Sequence, residues 1–96
     1  MEMLYSLEIR SSALRLFKKL PNDVQAKILA EAQILKTNPM AGPTLKGKYK
    51  HIRSLKFNYK GSAYRVAYQV LAQTSTILIR LAGTRENFYK YLERVV

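Results

Sequence analysis

Apolar residues recur at two different periods along this chain, and each change of period marks a new element. Met3, Tyr5, Leu7 and Ile9 alternate with Leu4, Ser6 and Glu8, the two-residue repeat of a strand. The spacing then lengthens. Ala13, Leu16, Phe17 and Leu20 predict a short helix that Ser11 or Ser12 can cap and Pro21 closes. Val24, Ile28, Ala32 and Leu35 predict a second helix, opened by Asn22 and ended by Thr37, Asn38 and Pro39, with Lys27, Glu31 and Lys36 on its solvated face. Two consecutive helices after one strand make a hairpin able to cover one face of a sheet.

Gly42, Pro43 and Gly47 mark a return loop, which ends in a basic run: Lys46, Lys48, Lys50, His51 and Arg53, interleaved with Tyr49. Alternation then resumes, with Arg53, Leu55, Phe57 and Tyr59 on one side and Ile52, Ser54, Lys56 and Asn58 on the other. A turn at Lys60-Gly61-Ser62 predicts a hairpin into the next strand. There Tyr64, Val66, Tyr68 and Val70 share one face, and Arg65, Ala67 and Gln69 share the other. A last strand, 76–82, places Ile77, Ile79 and Leu81 against Leu78, Arg80 and Ala82. Gly83 breaks it, and residues 84–89 turn into a short terminal helix ending near Arg94. The predicted order is β-α-α-β-β-β-α: an α+β fold, a small antiparallel sheet with a two-helix hairpin on one face. No repeat, linker or low-complexity stretch divides it, so residues 1–96 read as one domain.

Charge changes the picture at Arg65, the one cation in an otherwise uncharged strand. A solvated strand residue is its plainer reading. Yet no Asp or Glu occurs between Glu31 and Glu86, while ten of the seventeen basic residues lie from Lys36 to Arg85. Half a chain without a carboxylate does not neutralise its own cations, and the net charge of +11 points to a polyanionic partner: nucleic acid, an anionic membrane or an acidic protein. Arg65 is then expected on the open side of the sheet, facing that partner.

Composition also excludes. With no cysteine, a disulfide scaffold and thiolate metal sites are ruled out, and a reducing cytoplasm is compatible. One histidine and six scattered carboxylates are too few for a zinc site or a two-metal nuclease centre, so no metal or other cofactor is expected. The first ten residues contain Glu2 and Glu8 and no long apolar run, so a secretory signal or membrane span is not expected there. Chemistry in this chain falls to Lys, Arg and Tyr.

The order and spacing of these segments resemble a known family. The first strand, Lys19-Leu20-Pro21, Asn38-Pro39, Leu45-Lys46-Gly47, the hairpin into Tyr64-Arg65-Val66-Ala67-Tyr68, and Gly83-Thr84-Arg85-Glu86-Asn87-Phe88-Tyr89 are together similar to the RelE/ParE toxins of bacterial type II toxin-antitoxin systems, and more to the RelE side. The resemblance implies a cytoplasmic toxin that enters the ribosomal A site, contacts rRNA and cuts mRNA there. It also implies a cognate antitoxin that covers the basic face in a hetero-oligomer. The alternative implied by the ParE side is a non-enzymatic DNA gyrase inhibitor on the same fold. A non-toxic RNA-binding relative is a third reading. Matched by position, the family's sheet arginine falls on Arg65, its arginine beyond the last strand on Arg85 and its following tyrosine on Tyr89. Its basic strand residues fall on Lys56 first, then on Arg53 and Lys50. Many relatives carry His before the arginine matched by Arg85; this chain has Thr84.

RNA brings its own nucleophile, the 2′-hydroxyl. A protein cutting it without metal must orient that group in line, take its proton, stabilise the phosphorane and protonate the leaving 5′-oxygen. Arg65, with a planar fork that binds two oxygens, suits phosphate stabilisation. Lysine ordinarily titrates near 10, and like-charge repulsion lowers this, which makes Lys56, near Arg53 and Arg65, the candidate base with Arg85 on the leaving group; the two roles are exchangeable. Tyr89 suits stacking on a splayed base or a hydrogen bond to the 2′-hydroxyl. The plainer roles are packing of the terminal helix for Tyr89 and an ion pair with Glu86 or Glu93 for Arg85. Lys46, Lys48, Lys50 and Lys60 read as phosphate contacts. His51 joins them as an RNA-binding candidate, with no carboxylate near it in sequence to orient it as a base.

Overall fold

Val24, Ile28 and Ala32 stand one turn apart, and in the computed structural model, which describes residues 4–84, 88 and 90–92, all three are buried on one stripe of helix α2 (Asn22–Ala32). Leu35 continues the stripe from a 3-10 turn, Gln33–Lys36. Burying each of the larger side chains is worth about 1.5–3 kcal/mol. Helix α1 (Ser11–Phe17) precedes α2 and buries Ala13 and Phe17. Neither helix is capped as expected. Arg10 and Pro21 occupy the cap positions in extended conformation, without a side-chain cap bond, and Ser11 and Asn22 already lie inside their helices. Pro21 therefore opens α2 rather than merely closing α1. Gln25 fastens the corner instead, its side-chain amide donating to the Leu20 carbonyl at 2.8 Å.

The strands are β1 (Ser6–Ile9), β2 (Arg53–Tyr59), β3 (Ser62–Leu71) and β4 (Thr76–Thr84), in the spatial order β1-β4-β3-β2. β2, β3 and β4 are antiparallel neighbours, but β1 runs parallel to β4, with Leu7 opposite Ile77 and Ile9 opposite Ile79. The sheet is mixed rather than wholly antiparallel. The helical hairpin and the β2–β3 hairpin lie between β1 and β4 in the chain, and that long connection is what a parallel pair requires. Residues 88 and 90–92 are helical, so the expected element order is present; the expected end of that helix near Arg94 lies outside the described residues.

The β2–β3 connection is a two-residue turn. Tyr59 pairs with Ser62, leaving Lys60 and Gly61 at φ of 50° and 78°, the left-handed pair that matches strand twist. Ser62 thus belongs to β3. The turn is fastened to α2: the Lys60 ammonium lies 2.7 Å from the Asp23 carboxylate, and the Tyr59 hydroxyl donates to the same oxygen at 2.9 Å. These bonds, Lys60 first, hold the Asp23 carboxyl below its ordinary 3.8 and raise Lys60 above 10.5. The signs follow. A lowered carboxyl stabilises above its unfolded pKa and loses that as pH falls through the folded value; a raised ammonium stabilises below its unfolded pKa and loses that as pH rises through the folded value. The melting temperature of wild type should therefore exceed that of Asp23→Asn near neutrality. Thermal scans should show the gap closing below about pH 3.8 and again above about pH 10.5.

Two cores flank the sheet. On the helix side Phe17, Val24, Ile28 and Leu35 meet Val66, Tyr68, Ile77, Ile79 and Ala82. On the reverse, Ile52, Ala67 and Leu81 meet Phe88 and Leu92 of the terminal helix. The reverse face is thus not open along its length, since Ala67 is 0% exposed there. Leu81 was expected beside Ile77 and Ile79. It lies on the other face because a bulge interrupts the register: Ala67 faces Leu81 while Tyr68 faces Ile79, leaving Arg80 as the extra residue. Arg80 is 7% exposed and donates from Nη1 to the Gln69 side-chain oxygen at 2.7 Å. Burial, together with the nearby Arg10, pushes its pKa down.

Candidate functional site

Lys56 of β2 stands directly opposite Arg65 of β3, and Arg65 faces Gly83 of β4 on its other side. Like charges opposite each other on adjacent strands are destabilising. With no side chain at Gly83, space beside Arg65 stays open. The guanidinium is half-buried, 5.7 Å from the ring centroid of Phe88, so a cation–π contact joins it to the terminal helix. Lys56 is exposed.

A cleft of about 390 Å³ opens over this pair, with Ser54, Lys56 and Arg65 on the strands and Pro43, Thr44, Leu45 and Lys46 along the return loop. A second hollow of about 300 Å³ lies toward the hairpin turn, lined by Lys56, Asn58, Ala63 and Arg65 among others. Lys56 and Arg65 line both. Three cations thus meet around one cleft, and no group of three or more carboxylates, histidines or cysteines gathers among the described residues.

The loop wall is held by a buried tyrosine. Tyr68 donates its hydroxyl to the Pro39 carbonyl at 2.7 Å and accepts the Gly42 N–H at 2.9 Å. Arg53 donates from Nη1 to the Gly42 carbonyl at 2.8 Å, and the Ser54 N–H donates to the Pro43 carbonyl at 3.0 Å. Burial pushes the Tyr68 phenol above its ordinary 10, so it remains a donor throughout the physiological range. Gly42 is where backbone comes closest: a Cβ there would lie 2.6 Å from the Ser54 carbonyl oxygen.

Of the expected site residues, the structure brings Lys46, Lys56 and Arg65 together. Lys48, Lys50 and His51 are exposed on the loop leading into β2, along the 3-10 turn Gly47–Tyr49 and just beyond it; Lys48 lies over the Tyr49 ring at 5.2 Å. Tyr49 packs against the second core. Arg53 is set apart. It pairs with Tyr68, on the helix-bearing face, and its guanidinium clamps the loop rather than facing the cleft. Lys60 is also set apart, committed to Asp23 at the hairpin turn. Arg85 and Tyr89 lie outside the described residues. Ser54 and Thr44 were not among the expected site residues, although the alternation of β2 already put Ser54 on the Lys56 side.

A family model described as the ParE-like toxin of type II bacterial toxin-antitoxin systems matches residues 7–93. The chain belongs to that family. The toxin's fold is also that of solved relatives. A variant of the Escherichia coli RelE toxin in the free state superposes with a TM-score of 0.74 at 21% identity, covering 98% of this chain and 100% of that one. The RelBE2 toxin-antitoxin complex from Mycobacterium tuberculosis gives 0.72 at 23% identity over 88% and 95% of the two chains. The intact Escherichia coli RelBE complex gives 0.69 at 20% identity over 83% and 95%. A comparison with curated protein sequences returns no match. Among the described residues no helix is long and apolar enough to cross a membrane.

Proposed function

We propose that this toxin is a ribosome-dependent mRNA endoribonuclease whose cleft seats the scissile phosphate. The observation that carries the reading is the Lys56–Arg65 pair, two cations opposite each other on adjacent strands and lining one open cleft. An anion between them is attracted by both. Arg65 presents a bidentate donor to two phosphate oxygens. The 2′-oxygen attacks phosphorus, its proton passes to a basic group, and the bond to the 5′-oxygen breaks as that oxygen is protonated. The products are a 2′,3′-cyclic phosphate and a free 5′-hydroxyl. Lys56 stands where it can serve one of the two proton transfers, and Arg85 and Tyr89 are the family-matched candidates for the remaining contacts. Lys48, Lys50 and His51 extend the basic surface toward rRNA or mRNA phosphates.

The test is a map of new mRNA 5′ ends made in vitro with and without ribosomes. Cuts at fixed codon positions that require ribosomes and fade in Arg65→Met would support the reading. A toxic preparation that leaves mRNA whole would overturn it. The family description as ParE-like favours the second reading, a gyrase inhibitor, which would show instead as inhibited supercoiling by purified toxin.

The same basic face suits an acidic segment of a cognate antitoxin, the class of partner bound in the RelBE complexes. Reversing two exposed charges, Lys48→Glu with Lys50→Glu, should weaken antitoxin binding at least tenfold at low salt, with the loss shrinking as salt rises. Affinity unchanged by the reversal would place the antitoxin elsewhere.

A further inference from the structure

Ser54 is 1% exposed, and among the described residues its Oγ has no hydrogen-bond partner. Buried hydroxyls are almost always satisfied, and an orphan costs about 1–3 kcal/mol. Among the described residues nothing around it calls for a hydroxyl. Ser54 lies opposite Ala67, its N–H is satisfied by Pro43, and a methyl at this position would carry no polar penalty. What surrounds it does suggest a use, because Ser54 lines the cleft shared by Lys46, Lys56 and Arg65.

We propose that the Ser54 hydroxyl is a neutral phosphate-binding donor, completing the cation set of the cleft with a hydrogen bond to a non-bridging oxygen of an RNA phosphodiester. The inference deepens the ribonuclease reading and rests on it for the identity of the phosphate. A serine among cations adds direction without charge. Lys46 and Lys56 attract the anion over distance on flexible stems, whereas a hydroxyl fixed on a strand floor accepts it in one orientation. The bond also removes the orphan, so the free protein carries a penalty that the bound one does not.

The test uses a short RNA that is 2′-O-methylated throughout, which binds but has no nucleophile. Ser54→Ala should weaken its binding about ten- to a hundredfold, the range for a hydrogen bond to a charged group, while the melting temperature holds or rises. The slope of log affinity against log salt should stay as in wild type, because no cation is removed; Lys56→Met should flatten it by about 0.7. Affinity unchanged in Ser54→Ala, or lost only in step with thermal stability, overturns the proposal. A measurement on the wild type is independent of how the variant folds. Titration with the methylated RNA should shift the backbone amide resonances of Ser54, Lys56 and Arg65 and leave Asp23 unmoved; a still Ser54 amide overturns it. Weaker binding by Ser54→Ala in a toxin that cuts no mRNA would uphold the phosphate seat and remove the nuclease. Cleavage with unaltered Ser54→Ala binding would do the reverse.

Discussion

Arg65→Met should lower ribosome-dependent mRNA cleavage by about two to three powers of ten while leaving a folded protein. The rate effect follows from the proposed role, since a preorganised donor aimed at developing charge contributes roughly 3–4 kcal/mol to the transition state. Two contributions to stability oppose each other. Losing the guanidinium over Phe88 removes a cation–π contact worth about 0.5–1 kcal/mol, and losing the charge opposite Lys56 relieves a repulsion of similar size. Single-turnover cleavage and thermal melts on the same preparation check both halves. Met keeps the apolar stem against Phe88, so it separates charge from packing better than Ala. A variant that melts far below wild type would make Arg65 a structural residue, and one that cuts at the wild-type rate would leave the cleft without its main donor.

Tyr68→Phe should cost roughly 1–3 kcal/mol of stability, the penalty for one orphaned buried backbone group. The ring stays, so the core between sheet and helices keeps its volume. What goes is the hydroxyl that joins the Pro39 carbonyl to the Gly42 N–H, and the N–H would be left without its partner in a buried place, the carbonyl in a half-buried one. For a chain of this length that corresponds to a fall in melting temperature of about 4–24 °C. The same variant should also bind RNA more weakly, because Pro43, Thr44, Leu45 and Lys46 follow directly from the released segment and form one wall of the cleft. Thermal melts and binding of the methylated RNA are the measurements. A melting temperature within two degrees of wild type would mean that the other bonds to the loop, from Arg53 to the Gly42 carbonyl and from the Ser54 N–H to the Pro43 carbonyl, hold it without the tyrosine hydroxyl.

Much of this was legible before any coordinates, and the reasons are specific. The stripe Val24, Ile28, Ala32 and Leu35 was readable because each is apolar and each is fully used by one face. Lys56 and Arg65 were readable as neighbours on one basic hairpin, but their direct opposition was not, because the turn is Lys60-Gly61 alone and the expected third turn residue, Ser62, would have moved the register by one. Other features were not legible. The parallel entry of β1 depends on where the chain returns after the helices, which local periodicity does not record. The bulge at Arg80 depends on a single extra residue, and Leu81 carries the same apolar label whichever face it takes. The division of the basic residues was obscured by treating them as one run. Arg53 and Lys56 differ by an odd number of positions and so oppose each other across the sheet, a fact that parity contains and clustering hides. Lys60 has its partner, Asp23, thirty-seven residues away on another element. Ser54 was silent for another reason: only a missing hydrogen bond distinguishes it from any small strand residue.

The bulge in β4 makes this toxin sensitive to chain length in a way that no substitution reveals. Arg80 shifts the phase of the strand by one, which sends Leu81 to the terminal helix and Ala82 to the helical hairpin. Inserting one further residue between Arg80 and Leu81, where the bulge already holds its extra residue, would shift the phase again and exchange the two. Leu81 would press into a space shaped for alanine, and the seat of Phe88 and Leu92 would lose its largest sheet contact. The helix that carries Phe88 to the Arg65 guanidinium would then have little to rest on. A frame-preserving insertion of one codon, far from the cleft in the chain, would thus disarm the protein from the side of its architecture rather than its chemistry.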